Sequence, residues 1–191
     1  KVASIGTLGI KSRKFKKSLS NTTMDPIQLS IILSNLKKHN INNVIMEASS
    51  HGLSQNRLDG LSFNTGIFTN LSQDHMDYHK NIKAYLKAKL YLFEQLIKKN
   101  GNIITDEKIS EYKQIKKIAS NKNLNLFSLL DKKNNFQFLS HQFENEAQLL
   151  ELKYNNSTHK IKLNLIGKIQ LKNILMAIIA AIKSNISIKD I

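Results

Sequence analysis

Two stretches, Met46-Glu47-Ala48-Ser49-Ser50-His51-Gly52-Leu53 and Asn70-Leu71-Ser72-Gln73-Asp74-His75-Met76-Asp77-Tyr78-His79, hold most of the side chains in this sequence that could do chemistry. Glu47 directly follows Val44-Ile45-Met46, so its carboxylate emerges at the end of an apolar run. A carboxylate so placed suits Mg²⁺, which takes oxygen ligands and keeps waters and phosphates for the rest of its octahedron. The competing roles are a helix N-cap or a surface salt bridge. Ser49, Ser50 and His51 have the types of a nucleophile and its base. Adjacent residues, however, do not bring a hydroxyl within the ~2.6 to 3.2 Å of an imidazole that catalysis requires, and no G-x-S-x-G elbow is present. Hydroxyls at a strand-to-helix turn are better suited to holding an anionic substrate. His75 and His79 have the spacing of a helical zinc pair, but no Glu follows His75 as the H-E-x-x-H pattern demands, and no third ligand is evident. His75 is then a Mg²⁺ ligand or a group behind one, and His79 equally a structural residue. Lys89 sits between Ala88 and Leu90 at an apolar boundary. Such a Lys either snorkels to solvent, the usual outcome, or keeps a partly buried amine available for chemistry.

The elements that must position these residues alternate as βα units. Val2 to Leu8 reads as a strand, Lys11 to Lys17 as a Lys-rich loop, and Asp25-Pro26 as an N-cap with Pro at the first helical position. Ile27 to Lys38 then reads as a helix burying Leu29, Ile32, Leu33 and Leu36. Asn43 to Glu47 reads as a buried strand and Phe63 to Thr69 as another, each delivering polar residues at its C-terminal end, where α/β proteins place their sites. Asn81 to Lys99 is the longest helical pattern, with Tyr85, Leu86, Leu90, Phe93 and Leu96 on one face and Asn100-Gly101 as its stop. A short strand at Asn102 to Thr105, a helix from Lys108 to Ala119 and a strand from Leu124 to Leu129 follow. From Phe136 to Leu165 the period shifts toward two, with Asn155-Asn156 as a hairpin turn, and Gly167 to Lys183 closes as a helix. The fold class is α/β: a mostly parallel sheet flanked by helices, with a small antiparallel ribbon in the C-terminal third.

The 191 residues fit one domain with enough apolar content, 41%, to fill a core. No apolar run approaches the ~18 residues of a membrane span, and the first residues lack the order of a signal peptide, so no membrane insertion is expected. The absence of Cys excludes disulfides and thiolate metal sites and permits a cytoplasmic location. The net charge of +15 raises a nucleic-acid surface as an alternative. Arg13 and Arg57 are the only arginines among 29 basic residues, whereas base readout and phosphate forks favour Arg. Scattered Lys beside many Asn and Ile reads instead as compositional drift, and no nucleic-acid partner is expected.

The run from Asn43 to Phe93 resembles the central, ATPase domain of the Mur ligase family, in the branch that adds the third residue of the peptidoglycan stem peptide. The family pattern M-E-V-S-S-H-A-L reads here as Met46 to Leu53, F-T-N-L-S-x-D-H-L-D-Y-H as Phe68 to His79, and a block ending K-x-x-L-F as Ala84 through Lys89 to Phe93. Weaker matches are Ile5 to Gly9, Asn21-Thr22-Thr23 before Asp25-Pro26, and Leu165-Ile166-Gly167 with Asn173. Departures are Ala48 for Val, Met76 for Leu and Gln170 for the first Asn of G-x-x-N-x-x-N, and no G-x-x-x-x-G-K-[ST] loop is present. The resemblance implies a P-loop-type fold and ATP-dependent amide formation through an acyl phosphate, with ATP and Mg²⁺ as cofactors. It implies UDP-MurNAc-dipeptide and an amino acid, diaminopimelate or lysine, as partners. By the same resemblance Glu47, His75 and Lys89 are metal-binding, with Lys89 carbamylated and catalytic together with His75. Asn21, Thr22, Thr23, Ser49 and Arg57 contact the UDP substrate, and Asn173 the adenine side. Residues 1–191 are then expected to be a central-domain fragment without the P-loop, the uridine-binding domain or the amino-acid-binding domain, and inactive alone. A folylpolyglutamate-synthetase-like ligase is the alternative within the superfamily.

Overall fold

The computed structural model describes residues 1–13, 16–19, 21–72, 76–129, 135–144, 147–165 and 167–191. They form two units, Lys1–Ser62 with Gln73–Leu96, and Phe63–Ser72 with Ile97–Ile191.

In the first unit, β1 (Val2–Gly6) lies between the antiparallel β2 (Gly9–Ser12) and the parallel β4 (Asn43–Met46), with the two-residue β3 (Lys16–Lys17) outside β2. The region expected to be a Lys-rich loop is therefore tied back as a small sheet edge. Its strands are too short and too basic to show an apolar alternation. Gly9, at φ 81°, makes the edge possible, because a Cβ there would lie 2.2 Å from the Lys17 carbonyl oxygen. Ala3 and Ile5 of β1 are buried while Val2, Asn43 and Ile45 are exposed, so the strand expected to be buried at Asn43 to Glu47 is covered on one face only, where Val44 and Met46 are half-buried. Helix α1 (Pro26–Lys38) starts as its sequence dictates: the Asp25 carboxylate accepts from the backbone N–H groups of Ile27 and Gln28 at 3.1 and 3.0 Å. Leu29, Ile32 and Leu36 are buried, and Leu33 is half-buried. The short α2 (Ser50–Ser54) follows β4.

Helix α3 (Ile82–Tyr91) is capped by Asn81, whose side chain accepts from Ala84 N–H at 2.9 Å. It does not run to Lys99 as its pattern suggests. A π-helical turn at Leu92–Leu96 ends it, and β6 (Ile97–Thr105) begins at once in the second unit. Pairing of Ile97 with Phe63 overrides the helical propensity of Lys98 and Lys99, with a register irregularity before Thr65 meets Asn102.

In the second unit, β6 is the centre of a parallel sheet between β5 (Phe63–Phe68) and β7 (Asn125–Ser128). Helix α4 (Tyr112–Asn121) starts later than expected, because the Asp106 side chain accepts from Lys108 N–H at 3.0 Å and holds the start of that stretch in a turn. The antiparallel ribbon is β8 (Phe136–Glu144), β9 (Ala147–Tyr154) and β10 (Ser157–Leu163), in the order β10-β9-β8. Asn155 and Asn156, at φ 47° and 67°, form the β9–β10 turn in the left-handed pair that a two-residue hairpin needs. Ile104, Leu129, Phe136, Leu150 and Leu152 pack with Leu171, Leu175, Met176, Ile178 and Ile179 of α5 (Lys168–Lys183).

Candidate active site

β1 and β4 run in parallel and end together, with Glu47 N–H donating to Ile5 C=O at 2.9 Å. Each strand therefore delivers its next residues to the same rim. Thr7 donates to Glu47 Oε2 twice, from its backbone N–H at 3.0 Å and its hydroxyl at 2.7 Å. Its hydroxyl also shares a 3.1 Å bond with that of Thr22. The carboxylate lies over Gly6, where a Cβ would come within 2.4 Å of Glu47 Cδ. Thr23, 2% exposed, donates its hydroxyl to the Glu47 carbonyl at 3.0 Å and accepts from Ser49 N–H at 2.9 Å. Ser49 in turn caps α2 through Gly52 N–H at 3.1 Å. Gly52 is required there, since a Cβ would sit 2.5 Å from Thr23 Cγ2. Arg57 donates to the Thr23 carbonyl at 2.7 Å and to Gln55 Oε1 at 2.9 Å. Thr22, Thr23, Glu47, Ser49 and Arg57 are thus one hydrogen-bonded set, and Asn21 sits exposed beside them in sequence.

A second layer leads from α2 to α3 in the same unit. Ser50, next to Ser49, shares a 2.9 Å hydrogen bond with His79 Nε2, and both residues are buried. The His79 ring stacks on Tyr85 at 5.0 Å and meets Tyr78 edge-on at 4.9 Å, while His51 lies 3.9 Å from Tyr78. Lys89 Nζ lies 5.4 Å from the centroid of the Tyr85 ring, and its side chain is half-buried. Hydrogen bonds from Ser54 and Gln55 lower the Tyr78 phenol from its ordinary value of 10.0; burial opposes them and the charge of Arg57 adds to them. Tyr91 is the opposite case: its hydroxyl donates to both Asp59 oxygens at 2.9 and 3.0 Å, which raises it.

His75, the remaining expected metal ligand, lies outside the described residues, as do Gln73 and Asp74. Among the described residues no three His, Asp or Glu side chains come together as a metal cluster. Asn173 is half-buried near the start of α5, in the second unit. Sequence reading missed Thr7, the Ser50–His79 pair and the Asp59–Tyr91 pair, which join residues 40, 29 and 32 positions apart.

Parallel strands that end in a fixed carboxylate and a set of hydroxyls define an α/β enzyme domain with its site at the strand C-termini. Within that class, the sequence matches the Mur ligase middle domain over residues 1–181, and the chain belongs to the Mur ligase family. It is 36% identical over 177 residues to a UDP-N-acetylmuramoyl-L-alanyl-D-glutamate–2,6-diaminopimelate ligase of Zymomonas mobilis, covering 93% of this chain and 36% of that protein. The protein of the same name from Rickettsia montanensis is 32% identical over 195 residues, covering 100% of this chain and 40% of the relative. The chain therefore spans well under half the length of the curated relatives it matches. A solved structure of a ligase of that name superposes with a TM-score of 0.82 at 26% identity, over 97% of this chain and 38% of the other. The apo form of L. casei FPGS, at 14% identity and a TM-score of 0.62 over 80% of this chain and 37% of that one, shares the fold. No helix among the described residues is long and apolar enough to cross a membrane.

Proposed function

We propose that this chain is the ATP-using central part of a ligase that joins 2,6-diaminopimelate to UDP-N-acetylmuramoyl-L-alanyl-D-glutamate. The observation that carries this reading is the set of relatives bearing that name, 32 to 38% identical over 92 to 100% of the chain. It is supported by Glu47, Thr22, Thr23, Ser49 and Arg57 forming one connected cluster. The relatives' names favour diaminopimelate over lysine as the amino acid. In the proposed reaction an oxygen of the D-glutamyl carboxylate attacks the γ-phosphorus of ATP and ADP leaves. The resulting acyl phosphate is attacked by the amino group, and the tetrahedral adduct expels phosphate and a proton.

The donor set at the rim fits Mg²⁺, a hard cation that takes one or two protein carboxylates with oxygens around it. Glu47 would hold it, with His75 and carbamylated Lys89 as the further expected ligands. When bound, the cation neutralises charge developing on the transferred phosphoryl group. Thr7 fixes the Glu47 carboxylate through two bonds to one oxygen, and Gly6 leaves it room to lie flat on the strand end. Thr23 and Arg57 brace the loop through their hydrogen bonds, and with Asn21, Thr22 and Ser49 they are the proposed contacts to the UDP substrate. Catalysis of this kind rests on positioning and charge neutralisation, so a rigid rim is what the chemistry requires.

The test uses the full-length protein and follows ADP release. Release is expected to require both UDP-N-acetylmuramoyl-L-alanyl-D-glutamate and diaminopimelate. Release with lysine alone, or release indifferent to the UDP substrate, overturns the assignment. Lys89→Ala is expected to abolish ligation without rescue by excess bicarbonate, because no amine remains to be carbamylated. Near-normal turnover in that variant removes Lys89 from the mechanism.

A further inference from the structure

β6 ends at Thr105, and Asp106, which follows it directly, is 2% exposed. One carboxylate oxygen, Oδ1, accepts from Lys108 N–H at 3.0 Å. The other, Oδ2, lies 2.5 Å from Nζ of Lys172, a half-exposed residue of α5. A carboxylate buried at that depth needs a cation, because burial removes its water. The start of α5 supplies a second, independent observation. Its N-cap is Gly167 at φ 111°, no side chain caps it, and its first turn carries no acidic residue. Lys168 and Lys172 add positive charge to the end where exposed backbone N–H groups already place it. The buried Asp106 carboxylate offsets that charge, and together with the burial of Leu171 it anchors an otherwise uncapped helix end. Lys172 and Asn173 are consecutive on the helix, about 100° apart around its axis. A rotation of the helix start that released Lys172 would therefore carry Asn173 with it.

We infer that the Asp106–Lys172 ion pair is a positioning device for Asn173: it fixes the start of α5 against the end of β6 and so sets where the Asn173 amide stands toward the adenine of ATP. The inference rests on the reading of Asn173 as an adenine-side contact. Lys172 touches no substrate itself. Its effect is on nucleotide binding and not on the chemical step.

The experiment measures steady-state KM for ATP and for UDP-N-acetylmuramoyl-L-alanyl-D-glutamate, with kcat, in the full-length protein. Asn173→Ala is expected to raise KM for ATP by about tenfold with kcat little changed, the pattern of lost uniform binding. Lys172→Met is expected to do the same and to leave KM for the UDP substrate unchanged, and Lys172→Arg to restore the wild-type value. The double variant Lys172→Met with Asn173→Ala is expected to be no worse than Asn173→Ala alone, since both act through one contact. Asp106→Asn keeps the side-chain size and the bond to Lys108, so it gives the same readout should Lys172→Met fail to fold. If Asn173→Ala raises KM for ATP and neither Lys172→Met nor Asp106→Asn does, the positioning role is overturned and the reading of Asn173 stands. If Asn173→Ala changes nothing, both are overturned, including the case in which Lys172→Met still weakens ATP binding by touching the nucleotide directly.

Discussion

At the scale of single residues, the rim is held by side chains whose hydrogen-bonding capacity is turned inward. Thr23 is the central case: one buried hydroxyl donates to the Glu47 carbonyl and accepts from Ser49 N–H, so it couples the end of β4 to the start of α2. Thr23→Val keeps the shape and removes both bonds, leaving a part-buried carbonyl and N–H unpaired. That is expected to lower unfolding stability by about 1 to 3 kcal/mol, while Thr23→Ser restores most of it; denaturant titration of the purified variants reads both. Loss below ~0.5 kcal/mol would mean that water replaces the hydroxyl and that the rim is not built on it. The two shifted tyrosines give a second expectation, with opposite signs. Tyr91 is raised by its bond to Asp59, so its contribution is fully present below the ordinary tyrosine value and is lost as pH rises through the raised one. Tyr78 is lowered by Ser54 and Gln55, so its contribution is fully present above the ordinary value and is lost as pH falls through the lowered one. Spectroscopic titration is expected to lose a step below the ordinary tyrosine value in Tyr78→Phe and a step above it in Tyr91→Phe. The reverse order would contradict both hydrogen-bond assignments. Glu47 and Ser49 were legible from their dense polar block, whereas Thr22, Thr23 and Arg57 entered only through the family resemblance; the structure joins all five by hydrogen bonds. Thr7 and the Ser50–His79 pair were not legible, since a bond across 40 or 29 residues leaves no spacing pattern in the chain.

At the scale of elements, helix ends show how a chain with seven glycines manages left-handed backbone. Among the described residues every non-glycine position with positive φ is Asn: Asn40, Asn56, Asn100, Asn123, Asn135, Asn155, Asn156 and Asn185. Four of them end helices in the same way. After α1, Ile41 N–H donates to Leu36 C=O and Asn40 N–H to Lys37 C=O, and equivalent pairs follow α2, α4 and α5 at Asn56, Asn123 and Asn185. Asparagine-rich composition, which reads as drift along the chain, is thus also the source of its helix stops. Asn123→Gly is expected to hold or raise stability by up to ~1 kcal/mol, and Asn123→Ala to lower it by about 1 kcal/mol, as the left-handed penalty dictates. Thermal unfolding of the pair checks this, and equal stability of the two variants would show that α4 can end otherwise. The elements themselves were largely legible. Asp25-Pro26 announced α1, and the change of period after Phe136 announced the ribbon that becomes β8, β9 and β10. Two of the misreadings share one cause: the β2–β3 hairpin and the Ile97–Gly101 start of β6 are fixed by strand pairing, which overrides local propensity.

At the scale of the whole molecule, the net charge of +15 has to be reconciled with the proposed function, in which the UDP substrate and ATP carry anionic groups of their own. A surface this basic could recruit a polyanion or could simply repel itself, and salt separates the two. Self-repulsion within a folded chain weakens as the Debye length shrinks from ~30 Å at 0.01 M to ~8 Å at 0.15 M salt. Stability is therefore expected to rise with sodium chloride over that range, because the folded state concentrates the like charges that the unfolded chain spreads out. Affinity for RNA obeys the opposite slope, since each phosphate contact releases counterions that added salt opposes. With lysines scattered along the sequence and only Arg13 and Arg57 able to form bidentate forks, RNA binding is expected to be gone at 0.15 M salt. ADP release by the full-length protein should then be indifferent to added RNA. Thermal unfolding across the salt series, with filter binding of RNA on the same samples, reads both slopes at once. RNA affinity that survives 0.15 M salt and competes with ADP release would make the basic surface part of the function and not a solvated consequence of composition.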